Sequence, residues 1–312
     1  MMMIKKIILL GPTASGKTSL AIQLAKNQDA EIVSVDSRQC YKHLDIGTAK
    51  PSPKQLEEVP HHNISVLEPE EEDSVAAFLL RTTDYTNHIL ARRKRVIYAG
   101  GSTLHLQSLL QPLDEMPDAD IDNIRRLQNE AEMNGLDSLY SRLQSVDPEY
   151  VEKMDGLNPQ RIFRALDVWM QTGKPFSYFH SNEEINISDD TLVIGLQLNR
   201  ETLYNNINRR VDQMLKDGLI DETKGLLQSG LSPDSQSLNT VGYKQVISYL
   251  NGELTFEEMA DEIKTKTRRY AKRQLTWFRR WNFVNWLDAD HQNEKKLLED
   301  AELLLAAKLQ KP

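Results

Sequence analysis

The hydrophobic positions near the start of the chain come in short unbroken runs. Residues 4–10, apolar from Ile7 to Leu10 and closed by Gly11, have the pattern of a buried parallel strand. Residues 16–27 switch to helical spacing through Leu20, Ala21, Leu24 and Ala25, and residues 31–35 return to a strand closed by Asp36. Ser74 is placed to cap a long helix reaching about Arg93, with Val75, Phe78, Leu79 and Tyr85 expected on its inner side. Residues 95–99 read as a third strand, followed by Gly100-Gly101 and a helix over residues 103–110. Alternation of this kind implies right-handed crossovers and a parallel sheet with helices on both faces.

The pattern changes near Asp114. From residue 117 to about residue 178 it is helical and charged, with no clear strand. A strand signal returns at residues 191–198, and helices follow over 201–217, 221–229, 242–250 and 256–281, with a possible last strand at 283–287. The expected fold class is α/β: a P-loop NTPase-like parallel sheet flanked by helices, with an inserted all-helical subdomain. Residues 1–114 and 180–312 would form the core with its C-terminal helices, and residues 115–179 the insertion.

Composition narrows the function classes. With 39% hydrophobic residues among 312, the chain can build a core of more than one layer and is not expected to be disordered. The single cysteine, Cys40, excludes a disulfide framework and a cysteine-built zinc site. No stretch reaches 18 apolar residues, so no membrane partner is expected and the protein reads as cytoplasmic; a monomer is expected. The net charge of -8 argues, as an average, against nucleic acid. Its distribution says otherwise: residues 264–280 hold eight Lys or Arg and no acidic residue. Tyr270, Trp277, Phe278 and Trp281 interleave with them. Helical spacing would turn these aromatics mostly to the core and leave a cationic stripe suited to an RNA backbone.

Gly11-Pro12-Thr13-Ala14-Ser15-Gly16-Lys17-Thr18 matches the phosphate-binding loop in full, between a strand and a helix. Glycines let the backbone wrap an anion with its N–H groups, Lys17 reaches the terminal phosphate, and Thr18 offers a hydroxyl to Mg²⁺. The motif says phosphate or diphosphate, not which reaction. Asp36 ends the second strand, where a carboxylate can take a proton or hold Mg²⁺ through water; capping the turn after it is the structural alternative. The hydroxyls after Gly100-Gly101 could bond a phosphate oxygen or merely cap a helix. Arg161 and Arg164 are three apart on one helical face and could meet phosphodiesters or solvent. Arg210 could reach the phosphate site or pair with Asp212 or Asp217. His61 and His62, being adjacent, point apart and are assigned no metal.

Taken in order, the P-loop, Asp36-Ser37-Arg38-Gln39, Asp45-Ile46-Gly47-Thr48-Ala49-Lys50-Pro51, Asn158-Pro159-Gln160-Arg161-Ile162-Phe163-Arg164, Val241-Gly242-Tyr243-Lys244-Gln245 and Ala271-Lys272-Arg273-Gln274-Leu275-Thr276-Trp277 resemble the tRNA dimethylallyltransferase family over nearly the whole chain. The resemblance implies transfer of a dimethylallyl group from dimethylallyl diphosphate to N6 of the adenosine 3′ to the anticodon, position 37, in tRNAs reading codons that begin with U. It implies Asp36 as general base, with Ser102 and Arg210 assisting at the diphosphate and Mg²⁺ as cofactor. Asp36 to Gln39, Ser102, Gln160 to Arg164, Val241 to Gln245, Lys272 and Arg273 would meet the tRNA anticodon stem-loop. The family commonly has Gly-Gly-Thr and then Leu-Tyr; here Gly101-Ser102-Thr103-Leu104-His105 leaves Ser102 and Thr103 both able to supply the hydroxyl. A small-molecule kinase and a prenyltransferase acting on free adenylate are the competing readings of the same P-loop.

Overall fold

A computed structural model describes residues 4–154, 156–180, 185–290 and 293–309. These fall into two compact units: residues 1–111 with 186–312, and residues 112–185.

The larger unit is built on β1 (Lys6–Leu10), β2 (Ala30–Val35), β3 (His61–His62), β4 (Arg95–Gly100), β5 (Thr191–Gln197) and β6 (Asn285–Asp288). They form one six-stranded sheet in the order β3-β2-β4-β1-β5-β6, every pairing parallel. Its helices are α1 (Lys17–Asn27), α2 (Pro53–Glu58), α3 (Val75–Ala91) and α4 (Thr103–Ser108) before the second unit. That unit holds α5 (Ile121–Asn134), α6 (Leu136–Val146), α7 (Pro148–Glu152) and α8 (Pro159–Thr172). The larger unit resumes with α9 (Arg200–Lys216), α10 (Leu219–Gln228), α11 (Tyr243–Leu250), α12 (Phe256–Phe278) and α13 (Glu294–Leu309).

The central strands are apolar on both faces because both are covered. Ile7, Leu9, Ile32, Ile97 and Ile194 join Leu20, Leu24 and, from α13, Leu297 and Leu305 in one core. A second core under α9 to α12 gathers Tyr41, Leu44, Leu219, Tyr243, Val246, Met259 and Ile263. Because the strands are parallel, the loops after β1, β2 and β4 leave the same edge of the sheet. From β1 the chain moves past β4 to β2, whereas β5 lies on β1's other side. Such a switch in winding direction opens a crevice at the carboxyl edge, the usual ligand position in doubly wound sheets.

Ser74 caps α3 as expected, its side chain accepting from Ala77 N. The inner face differs from the expected one. Phe78, Thr82, Thr86 and Ile89 are the buried residues, while Val75, Leu79 and Tyr85 are only half-buried. The threonines are tolerated inside because their hydroxyls are satisfied: Thr82 donates to Phe78 O at 2.9 Å, and Thr86 shares a hydrogen bond with the Tyr98 hydroxyl.

In the smaller unit, Asp120, Asp147 and Asn158 cap α5, α7 and α8 with side-chain hydrogen bonds, and Pro159 opens α8 at a position that needs no N–H. Leu127, Leu139, Leu143, Ile162 and Leu166 form its core. Asp167 is fully buried there and accepts from Asn123 Nδ2, Gln171 Nε2 and Arg164 Nη1 at 3.2, 2.9 and 2.8 Å. No strand occurs among its described residues.

Candidate active site

The turns after β1, β2 and β4 enclose a small cavity of about 100 Å³ lined by Thr13, Lys17, Thr18, Asp36, Gly101, Arg210, Tyr270 and Gln274, among others. A chamber of about 340 Å³ adjoins it, sharing Thr13, Asp36, Thr48, Arg210 and Tyr270 and adding Arg38, Val241 and Met214. On the P-loop side a groove of about 620 Å³ runs over Ala14 to Ser19, Asn206, Arg209 and Arg210.

The P-loop has the backbone an anion needs. Ala14 and Gly16 sit at φ 62° and 89°, so the loop curls before α1 begins at Lys17. Lys17 Nζ donates to Pro12 O at 2.6 Å and Ser15 Oγ at 3.4 Å. Burial pushes its pKa down to about 7; Arg210 adds to the depression and Asp36 opposes it. α9 delivers Arg210 across the crevice, where Nη1 donates to Thr13 Oγ1 at 3.2 Å. The alternative partners are otherwise engaged: Asp212 binds Lys264 at 2.6 Å, and Asp217 accepts from Gln213. Burial also lowers the Arg210 pKa, again opposed by Asp36. Two basic groups face one carboxylate here, so an anion that recharges Lys17 meets a positive excess.

Asp36 caps the turn after β2 and lines the cavity. Oδ1 accepts from Arg38 N at 2.9 Å and Gln39 N at 3.3 Å, capping the turn. Oδ2 has no hydrogen bond among the described residues, leaving one oxygen of a cavity-lining carboxylate for substrate. The Ser102 Oγ accepts from Ser37 N at 3.1 Å, which braces the Asp36–Ser37 turn and leaves the hydroxyl proton to be donated elsewhere; neither Ser102 nor Thr103 lines the three cavities. His105 packs edge-on against Phe78 at 4.5 Å, and burial lowers its pKa.

Two residues of α12 belong to the site although the aromatic pattern did not assign them there. Gln274 is buried, accepts from Thr13 N at 2.9 Å and donates to Gly101 O at 2.8 Å, so one amide ties the P-loop to the turn after β4. Tyr270, expected on the core side, lines both cavities. Its phenol is pushed up to about 12, mainly by burial and then by Asp36, although 38% of the residue stays exposed. The place of Gln274 five turns into α12, on one face with Ala271 and Phe278, was the available signal for the first; nothing in the spacing marked the second. Gln274→Leu keeps the volume but orphans Thr13 N, at a cost of about 1–3 kcal/mol for a buried unsatisfied donor. The expected result is a lower Tm together with weaker inorganic diphosphate binding by calorimetry.

The residues expected at tRNA are unequal. Gln160, Arg161, Lys244, Lys272 and Arg273 are exposed. Ile162, Gly242, Tyr243 and Gln245 are buried, and Gln245 Oε1 accepts from Gly242 N, so their side chains build the fold instead. Arg164 is bound to Asp167 and Pro117 O, which separates it from Arg161. Both ends of the Gln39 amide are engaged, with Ser34 Oγ and with the Thr48 and Ala49 carbonyls. The α12 stripe is also partly neutralised: Lys264 pairs with Asp212, Lys266 with Glu262, and Arg268 bonds Asn208. Of its aromatics, Phe278 and Trp281 are buried and Trp277 is half-buried.

A sequence profile described as IPP transferase matches residues 39–281, and one described as isopentenyl transferase matches residues 4–68. The chain belongs to the IPP transferase family. A tRNA dimethylallyltransferase 2 of Geotalea uraniireducens is 44% identical over 91% of this chain and 92% of its own length. A tRNA isopentenylpyrophosphate transferase of Bacillus halodurans superposes with a TM-score of 0.72 at 36% identity, covering 98% and 97% of the two chains. A eukaryotic dimethylallyltransferase acting on tRNA gives 0.77 at 29% identity over 92% and 74%. This IPP transferase family member has no helix among its described residues long and apolar enough to cross a membrane.

Proposed function

We propose that the protein transfers a dimethylallyl group from dimethylallyl diphosphate to N6 of the adenosine 3′ to the anticodon, in tRNAs reading codons that begin with U. The observation that carries this is the placement of Asp36: one carboxylate lining both the cavity of Lys17 and Arg210 and the chamber beyond it. Anion grip and proton acceptor therefore meet at one point, which suits a leaving diphosphate better than phosphoryl handover.

The chemistry follows from the substrates. An adenine amine is a poor nucleophile because its lone pair is conjugated with the ring, so the allylic carbon must become strongly electrophilic. The bond from that carbon to the diphosphate oxygen breaks, and both electrons leave with the diphosphate. Lys17, Arg210 and the P-loop N–H groups stabilise the departing charge. N6 closes the new bond to carbon, and its proton passes to Asp36 Oδ2. The Thr18 hydroxyl and the Asp36 carboxylate line the same small cavity, so the residues present fit Mg²⁺, which when bound would add positive charge at the diphosphate. A stacked base cannot enter such a chamber, so the adenosine has to be flipped out. Exposed Gln160 and Arg161 on α8, with Lys244, Lys272 and Arg273, supply groups for the anticodon stem-loop, largely its phosphates. A monomer working in the cytoplasm, where its tRNA resides, fits this reading.

Incubation with tRNA and dimethylallyl diphosphate, digestion to nucleosides and mass analysis should show a five-carbon addition on adenosine. Modification of free AMP instead, or release of phosphate from ATP without RNA, would refute the proposal. Arg273→Glu is expected to weaken tRNA binding and to reduce the slope of log affinity against log salt by about 1. Unchanged filter-binding curves across the salt series would remove α12 from the interface.

A further inference from the structure

The loop joining Leu44 to Lys50 contributes Gly47, Thr48 and Ala49 to the wall of the chamber that holds Asp36 and Arg210. Three successive N–H groups of this loop converge on one carboxylate from α10. Glu222 Oε2 accepts from Asp45 N at 2.9 Å and Ile46 N at 2.7 Å; Oε1 accepts from Gly47 N at 3.0 Å and from the Tyr243 hydroxyl at 2.6 Å. Consecutive N–H groups arranged this way form an anion nest. Here the protein fills the nest with its own side chain, so it is not a phosphate site. Tyr243 closes the clamp from below. It is fully buried, and a Cβ on Gly47 would lie 2.4 Å from its ring, so the loop rests directly on that ring. The far side of the loop is tied to the catalytic turn: Gln39 Nε2 donates to Thr48 O and Ala49 O at 3.2 and 3.3 Å, and Gln39 N donates to Asp36 Oδ1.

We propose that Glu222 is a positioning residue for the transfer reaction, holding the Asp45–Gly47 loop, and through Gln39 the Asp36 turn, in register with the diphosphate grip. This rests on the functional reading above. No atom of Glu222 lines the chamber, so it acts only through the loop. The clamp needs four acceptor positions on two oxygens. An amide offers one oxygen and turns an NH₂ toward at least one loop N–H, which can only donate, so Glu222→Gln breaks the clamp while preserving shape.

The test measures three quantities on Glu222→Gln: kcat for prenyl transfer to tRNA, the Kd for inorganic diphosphate, and amide exchange of the peptide spanning residues 44–50. Misplacement of a catalytic group by about 1 Å costs on the order of 10²-fold. The expected signature is a ~10–100-fold fall in kcat, unchanged diphosphate affinity, and faster exchange confined to that peptide. Tyr243→Phe removes one donor and keeps the ring, so its own effect should be small. Added to Glu222→Gln it should change little more, because a phenol oxygen can itself accept from the new NH₂ and the donors left unpaired are those of the loop backbone. Gly47→Ala drives a Cβ into the Tyr243 ring and so moves the loop, and the Gly47 N–H that Glu222 holds, with the carboxylate itself unchanged; it should reproduce the signature, and it decides the matter if Glu222→Gln does not fold. Wild-type kcat with a loosened loop would overturn the proposal, as would diphosphate affinity falling in step with kcat. If wild-type protein transfers no prenyl group to tRNA, the functional reading has failed; if only the variants behave like wild type, the Glu222 inference alone has failed.

Discussion

Asp36→Asn is expected to fold like the wild type and to lose ~10²–10⁴-fold in kcat, the usual range for a general base. The substitution separates the two functions of this carboxylate. Asparagine keeps an Oδ1 that can accept from Arg38 N and Gln39 N, at 2.9 and 3.3 Å, so the turn survives. It loses the basic oxygen that faces the chamber. Asp36→Ala removes both and should show the same kinetic loss with an added stability cost of about 1–2 kcal/mol from the missing cap. Affinity for tRNA should hold within about twofold in either variant, since phosphate contacts carry most of it. Single-turnover kinetics, thermal melts and tRNA titrations separate these outcomes. Equal losses in binding and turnover would remove Asp36 from the base role.

Arg210→Gln is the second large effect. A hydrogen bond to a charged group contributes about 1.5–3 kcal/mol, so inorganic diphosphate should bind roughly 10–150-fold more weakly. A subtler consequence concerns protons. In the open site Lys17 is held down to about 7 by burial first and by Arg210 second. At pH 8 it is therefore mostly neutral. A bound polyanion favours the charged form, so diphosphate binding at pH 8 should draw in close to one proton. The uptake should shrink below pH 7, where Lys17 is already protonated. Without Arg210, Lys17 begins more fully charged, and uptake at pH 8 should fall. Calorimetry in buffers of different ionisation enthalpy measures this directly; identical uptake in both proteins would show that the two cations do not sense one another.

The parallel sheet was legible because its strands are buried on both faces, and apolar runs such as residues 7–10 and 191–198 carry that signal without ambiguity. β3 was not legible: two histidines carry no strand signal, and His62 lies there because Glu31 of β2 receives its ring at 2.8 Å. α13, beyond the strand read at residues 283–287, was not singled out as a helix, although its leucines complete the core under α1. In the site, the P-loop was plain because its chemistry is local. Arg210 needed the fold, since only the packing of α9 decides whether it turns to Thr13 or to an acidic neighbour. Tyr243 shows the opposite error: it belongs to a recognisable motif, yet it is enclosed by its own core. A motif fixes which residue is present, whereas the partner it serves depends on segments far along the chain.

The pairing of β1 with β5 has a consequence for biosynthesis. Lys6 lies opposite Thr191, with the whole of the smaller unit encoded between them. On the ribosome β1 can find β4 early, but its other edge must wait roughly 10–40 s for β5 at ordinary elongation rates. For that interval a short, strongly apolar strand offers unpaired hydrogen-bonding groups to any neighbour. Slowing translation within codons 112–185 should therefore raise the insoluble fraction, and chaperone demand should peak before residue 191 emerges.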